Sequence, residues 1–191
     1  MSKDSKLAEI AKSLNNFEEK YLEDEFLALV NIQPPASLIK QNNGIDYLPI
    51  EAVEMLLTKV FQRWRVEIRD SKNILNAVLV VVRVHYMHPV TNEWEWQDGI
   101  GAQKIQVDKG SAASNLQNIK PDAISMAGPS AKSLAIKDAA HHIGKLFGKD
   151  LNRSGAMDFK GTYATDELKQ ERELKKLELR ESNDTTTSPT K

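Results

Sequence analysis

Cysteine is absent from this chain of 191 residues. Its absence excludes disulfide frameworks, cysteine zinc sites, iron–sulfur clusters and thiol catalysis by inventory alone, and leaves a reducing cytoplasm as the default compartment. Long apolar runs are missing as well. The longest, Ala77 to Val82, is far shorter than the roughly 20 residues that span a bilayer. The charged opening MSKDSKLAEIAK lacks the continuous apolar stretch of a signal peptide. The expectation is a soluble, unsecreted protein with no membrane partner. No internal repeat is evident, which disfavours solenoids and propellers. Net charge is close to nil, at −1, so the composition as a whole is not that of a generic polyanion binder.

Signatures of catalysis are scarce too. The chain has no Walker-type phosphate loop, no Gly-x-Ser-x-Gly elbow and no His-Glu-x-x-His pair; Gly99-Ile-Gly101 is only a short match to a glycine loop. Four histidines are present, but His141 and His142, adjacent on a helix, diverge by about 100° and do not easily share an ion. No metal, no cofactor and no enzymatic activity are expected. A metal-dependent nucleic-acid enzyme stays open as an alternative, and would need carboxylates gathered around Asp98, Asp108 and Asp122.

What is present is pattern. The residues before Ala36 are acidic, with Glu18, Glu19, Glu23, Asp24 and Glu25 outweighing the lysines, and the end beyond Arg153 nearly balances, which leaves the middle mildly basic. Leu7, Ile10, Leu14, Phe17 and Tyr21 recur at helical spacing and predict one helix or two short ones, stopped by Pro34-Pro35. Pro49, Glu51 and the stripe Val53, Leu56, Leu57, Val60, Phe61 predict a second helix. From Trp64 the period falls to two. Arg63, Arg65, Glu67 and Arg69 share one strand face; after a turn at Ser71-Lys72-Asn73, Arg83 and His85 share the polar face of a second strand, Ala77 to Tyr86. In a third strand Trp94 and Trp96 point one way and Glu93, Glu95 and Gln97 the other. Gly99 to Pro129 reads as a long polar loop, and Ser130 to Phe147 as the clearest helix, with Gly148 as its stop.

The fold class expected is therefore α+β: an antiparallel three-stranded β-meander packed on a long helix, a β-β-β-α core, with flanking N-terminal helices. Three segments follow: 1–35, helical; 36–153, the folded domain; and 154–191, a charged and largely disordered tail whose run from Asp166 to Glu181 can form a solvated helix.

Two cationic constellations stand out. On the last helix Lys137, His141 and Lys145 recur every four residues opposite the apolar stripe, with Lys132 and Lys149 nearby, a spacing that suits a phosphate backbone and equally an ordinary solvated face. On the sheet, Arg63, Arg65, Arg69 and Arg83 could meet a nucleic-acid strand, or pair with Glu67, Glu93 and Glu95. Trp94 and Trp96 could stack bases, but the apolar character of their face assigns them to the core or to a subunit interface.

Three motifs in order then carry a resemblance. Tyr-Leu-Pro-Ile-Glu (Tyr47 to Glu51) opens a helix; a Val-Arg-Val strand runs toward Asp98-Gly-Ile-Gly101; and Ala-Ile-Lys-x-Ala-Ala (Ala135 to Ala140) lies in the last helix. Together, over roughly Lys40 to Arg153, they resemble the Rad-fifty-two single-strand annealing proteins and their bacteriophage relatives. The resemblance implies a single-stranded DNA-binding and oligomerisation domain over 36–153. Such a protein anneals complementary strands without ATP during DNA recombination and repair. It works as a homo-oligomeric ring or filament, in the cytoplasm of the cell or of a phage host. The groove lysine of that family matches Lys137; Lys104 and Lys40 match its other basic positions, with Arg83 and Lys72 further candidates. The charged tail would suit a partner such as a single-strand binding protein. The family pattern is departed from at Asp138, where arginine is common, and at His141; the expected consequence is lower affinity, affinity that rises as pH falls, or greater dependence on Lys145 and the arginine face. A scaffold of the same fold without DNA binding is the remaining alternative.

Overall fold

The computed structural model describes residues 3–110, 116–153, 170–171 and 173–178. The chain divides into two compact units: residues 30–155, and residues 1–29 with 156–191. Each is taken by itself.

Residues 30–155 hold the α+β core. It begins with a short antiparallel hairpin of β1 (Lys40–Asn42) and β2 (Ile45–Tyr47). Its Asn43-Gly44 turn has φ of 51° and 79°, the left-handed pair that a tight hairpin turn requires and that Asn-Gly supplies at least cost. This hairpin adds to the expected elements, and the Asn-Gly dipeptide is its sequence signal. Helix α2 (Ile50–Phe61) follows, its buried stripe being Ala52, Val53, Leu56, Leu57 and Phe61.

Three strands then form one antiparallel sheet in the order β3-β4-β5: β3 (Trp64–Ile74), β4 (Ala77–Met87) and β5 (Trp94–Lys104). The first turn falls at Leu75-Asn76, later than the expected Ser71-Lys72-Asn73. A register shift between Ile68 and Asp70 marks a bulge at Arg69, which lengthens β3 by the extra residue that the period-two reading could not accommodate. On β4, Val80, Val82, Val84 and Tyr86 are buried while Arg83, His85 and Met87 take the other face.

Helix α3 spans Ala123–Ile143 and packs on β4 and β5. The long loop expected over Gly99 to Pro129 is thus much shorter: β5 runs on to Lys104 and α3 starts seven residues before Ser130 would have begun it, with Pro129 inside. The reason is a stripe of small residues. Ala123, Ala127, Ala131, Ala135 and Ala139 are all buried, and they let the helix descend onto Gly99 and Gly101. A Cβ at Gly99 would strike the Ala135 carbonyl and the Ala139 amide; one at Gly101 would strike the Ala131 carbonyl and the Ala135 amide. The close approach needs glycine at both positions.

The helix ends at Gly144, not Gly148. A Cβ at Gly144 would strike the Val30 carbonyl, so the chain turns there. Lys145–Phe147 then make a single tight turn, closed by Gly148 in the left-handed region at φ 99°.

In the other unit, α1 (Lys3–Val30) is one continuous helix over its described length. Residues 173–178 are helical against it: Lys176 Nζ pairs with Glu18 at 3.3 Å, and Lys175 Nζ lies 4.3 Å from the centre of the Phe17 ring. The remainder of the expected disordered tail lies outside the described residues. Among the described residues no helix is long and apolar enough to cross a membrane.

Candidate functional site

An open groove of about 510 Å³ lies where the β1–β2 hairpin, the start of α2, the end of β5 and the middle of α3 meet. Lys40 and Tyr47 come from the hairpin, Glu51 from the first turn of α2, Gln103 from β5, and Ser130, Ser133 and Lys137 from α3. The hairpin is tied down from beyond α3 by Asn152, whose side chain plays the part of a strand: the Asp46 N–H donates to Asn152 Oδ1 at 2.8 Å, and Asn152 Nδ2 donates to the Asp46 carbonyl at 2.7 Å.

Electrostatically the groove is a small triad. Lys40 Nζ pairs with Glu51 Oε1 at 3.4 Å, and Lys137 Nζ stands 5.2 Å from the centre of the Tyr47 ring, within cation–π range. A hydrogen bond from its own backbone N–H, and after it the Lys40 ammonium, hold the Glu51 carboxyl below the usual carboxylate range. Burial draws the Lys137 ammonium below the ordinary lysine value, with Glu51 acting in the opposite direction. Two cations and one anion leave a net positive site with hydroxyl and amide donors around it, a lining suited to an anionic backbone.

Of the residues singled out from sequence, Lys40 and Lys137 are brought together here. The others are placed elsewhere. Lys104 follows Gln103 on β5, and strand alternation turns it to the face opposite the groove. Arg65 and Arg83 share that opposite face; Arg83 donates to both Asp98 oxygens at 2.7 and 2.8 Å, and its guanidinium lies 3.6 Å from the centre of the Trp96 ring. Lys132 is exposed on α3 and Lys145 sits in the turn past Gly144, so the four-residue stripe is broken after His141. His141 is half-buried against Gly148, and burial lowers its pKa, with Asp138 opposing and Lys137 reinforcing the shift. Its charging is thereby shifted to lower pH than that of an ordinary histidine.

Asp138 has a structural task. Its Oδ2 accepts the Ile100 N–H at 3.0 Å, joining α3 to β5. Of the two places expected for the tryptophans, the core of the chain is not the one they take: Trp94 and Trp96 are 47 % and 51 % exposed, because α3 covers the glycine face of β5 and not the indole face.

Sequence reasoning missed Gln103, Ser130 and Ser133 in the groove, and treated Tyr47 and Glu51 only as motif or dipole residues. The Asn-Gly turn was the one signal that could have folded Lys40 back toward Tyr47. Among the described residues no three His, Asp or Glu side chains gather as a metal site would need. No protein-family model matches this chain, and no curated protein matches it.

Proposed function

We propose that this protein binds single-stranded DNA and anneals complementary strands without nucleotide hydrolysis, as a homo-oligomer of the Rad-fifty-two type. One observation carries the reading: Lys40 and Lys137, far apart in the chain, line one open groove together with Glu51 and the neutral donors Ser130, Ser133 and Gln103. In this reading phosphates lie along the two ammonium groups and the hydroxyls of Ser130 and Ser133, and the bases face outward, available for pairing. The chain supplies electrostatic contacts and alignment; no covalent step is needed. A net excess of one charge per groove is modest, so strong binding follows when subunits set their grooves in one track.

The test is annealing of two labelled complementary DNA strands, without nucleotide, by the wild type and Lys137→Ala over a salt series. Expected are rapid annealing, a fall in affinity with salt, and a variant with weaker binding and a shallower salt slope. A wild type that neither binds nor anneals at low salt would leave the scaffold reading in its place.

A further inference from the structure

The face of the sheet turned away from α3 carries its two tryptophans in the open. Trp94 and Trp96 sit two residues apart on β5, on the same face, each about half exposed. Each has a guanidinium beside its ring: Arg65 of β3 at 5.1 Å from the centre of Trp94, and Arg83 of β4 at 3.6 Å from that of Trp96. Arg83 is itself fixed by Asp98 through two hydrogen bonds. The arrangement is a row of planar groups held at set positions by a rigid strand, with no element of residues 30–155 described as packing over it.

We infer that this outward sheet face is a second nucleic-acid surface, on which Trp94 and Trp96 stack unpaired bases of a single strand. Three physical arguments converge. First, residues two apart on a strand are separated by about 6.8 Å, twice the roughly 3.4 Å between stacked nucleotides of a duplex strand. Successive bases reach both indoles only when the strand is stretched and unstacked, a state open to single strands and closed to duplexes. Second, the charge is of the right sign. Asp98 neutralises Arg83, and Glu67 is shared between Arg69 and His85, at 2.8 Å from each. Arg65 and Lys104 make no ion pair among the described residues, so the face keeps positive charge near Trp94 and at the far end of β5. Third, guanidinium planes stack on bases as readily as aromatic rings do, so the Arg–Trp pairs extend the platform beyond the two indoles. The groove at Lys137 reads phosphates; this face reads the flat surfaces of bases, and it stands whether or not the groove reading does.

The experiment uses intrinsic tryptophan fluorescence of the full chain. An oligothymidylate of about eight nucleotides is compared with an abasic deoxyribose-phosphate oligomer of equal length. Thymidylate is expected to quench and the abasic oligomer not to. Trp94→Ala with Trp96→Ala removes the quenching and weakens oligothymidylate binding about tenfold or more, while binding of the abasic oligomer is unchanged. Trp94→Phe with Trp96→Phe keeps the affinity, which separates a lost ring face from a misfolded sheet. The third tryptophan, Trp64, donates its indole N–H to Thr58 Oγ1 at 2.9 Å and serves as an internal reference. Lys137→Ala is expected to retain quenching at saturating oligonucleotide; if it binds like wild type while the alanine pair does not, the groove reading fails and this one stands. Equal affinity of the alanine pair and the wild type for oligothymidylate overturns the inference. So does an alanine pair whose only change is in sedimentation, which would make the face a contact between copies of this chain.

Discussion

Between the two groove lysines stands one carboxylate, that of Glu51, ion-paired to Lys40 and acting on Lys137. It occupies ground that a phosphate would need. Glu51→Gln is therefore expected to tighten single-strand binding about two- to fivefold at low salt, measured by fluorescence anisotropy, with the gain fading as salt rises. Unchanged affinity would mean that phosphates do not visit the Lys40 end. His141 leads to a prediction of opposite sign. Its folded pKa is depressed by burial, so the neutral ring belongs to the native state. The stability this confers is fully present above about pH 6.5, the ordinary histidine value, and is lost as pH falls through the lower folded value. Melting temperature should fall below pH 6, and His141→Gln should flatten that limb; an unchanged acid limb would assign the effect to other groups. At this scale the sequence was an uneven guide. Lys137 and Lys40 could be named because cations at a motif carry a chemical signature, whereas Gln103 and Ser133 carry none until folding aims them at a common space.

The pairing of α3 with β5 rests on absence of side chains. Gly99 and Gly101 leave room for the backbone of α3 around Ala135, and any Cβ there pushes helix and sheet apart. Gly101→Ala is expected to cost about 1–3 kcal/mol of stability, read from urea unfolding, and to weaken DNA binding because α3 and β5 both line the groove. A variant with wild-type stability would show that the helix can lift without loss. Elements were legible where a strong period ran uninterrupted: the stripe of α2, the alternation of β4, the order of three antiparallel strands. They were misread where small residues did the packing. Alanine and glycine between Gly99 and Pro129 looked like loop material by composition, yet Gly99 and Gly101 lie in β5 and Ala123 and Ala127 begin the buried stripe of α3. The indoles of β5 stay out of the chain's own core for the same reason: hydrophobicity favours burying tryptophan, but the close approach of a helix favours the glycine side.

As a whole molecule the protein is close to electroneutral, at −1, and a polyanion binder of that kind depends on where its charges are grouped. Light scattering with and without oligonucleotide is expected to find an assembly several times the 21.5 kDa chain mass; a monomer under both conditions would remove the aligned grooves that the proposed function requires. How such an assembly is joined is constrained by the bond between Asp138 and the Ile100 amide. β5 is the last strand of its sheet, and the outer margin of a terminal strand is ordinarily a template on which a strand from another molecule can continue the ladder. Asp138 already occupies that amide. A strand laid along β5 would have to displace Asp138 or leave that amide out of the ladder. For the oligomer proposed above, that cap favours contacts between side-chain surfaces over a ladder continued through β5, and so closure on a fixed number of subunits over extension into a fibre.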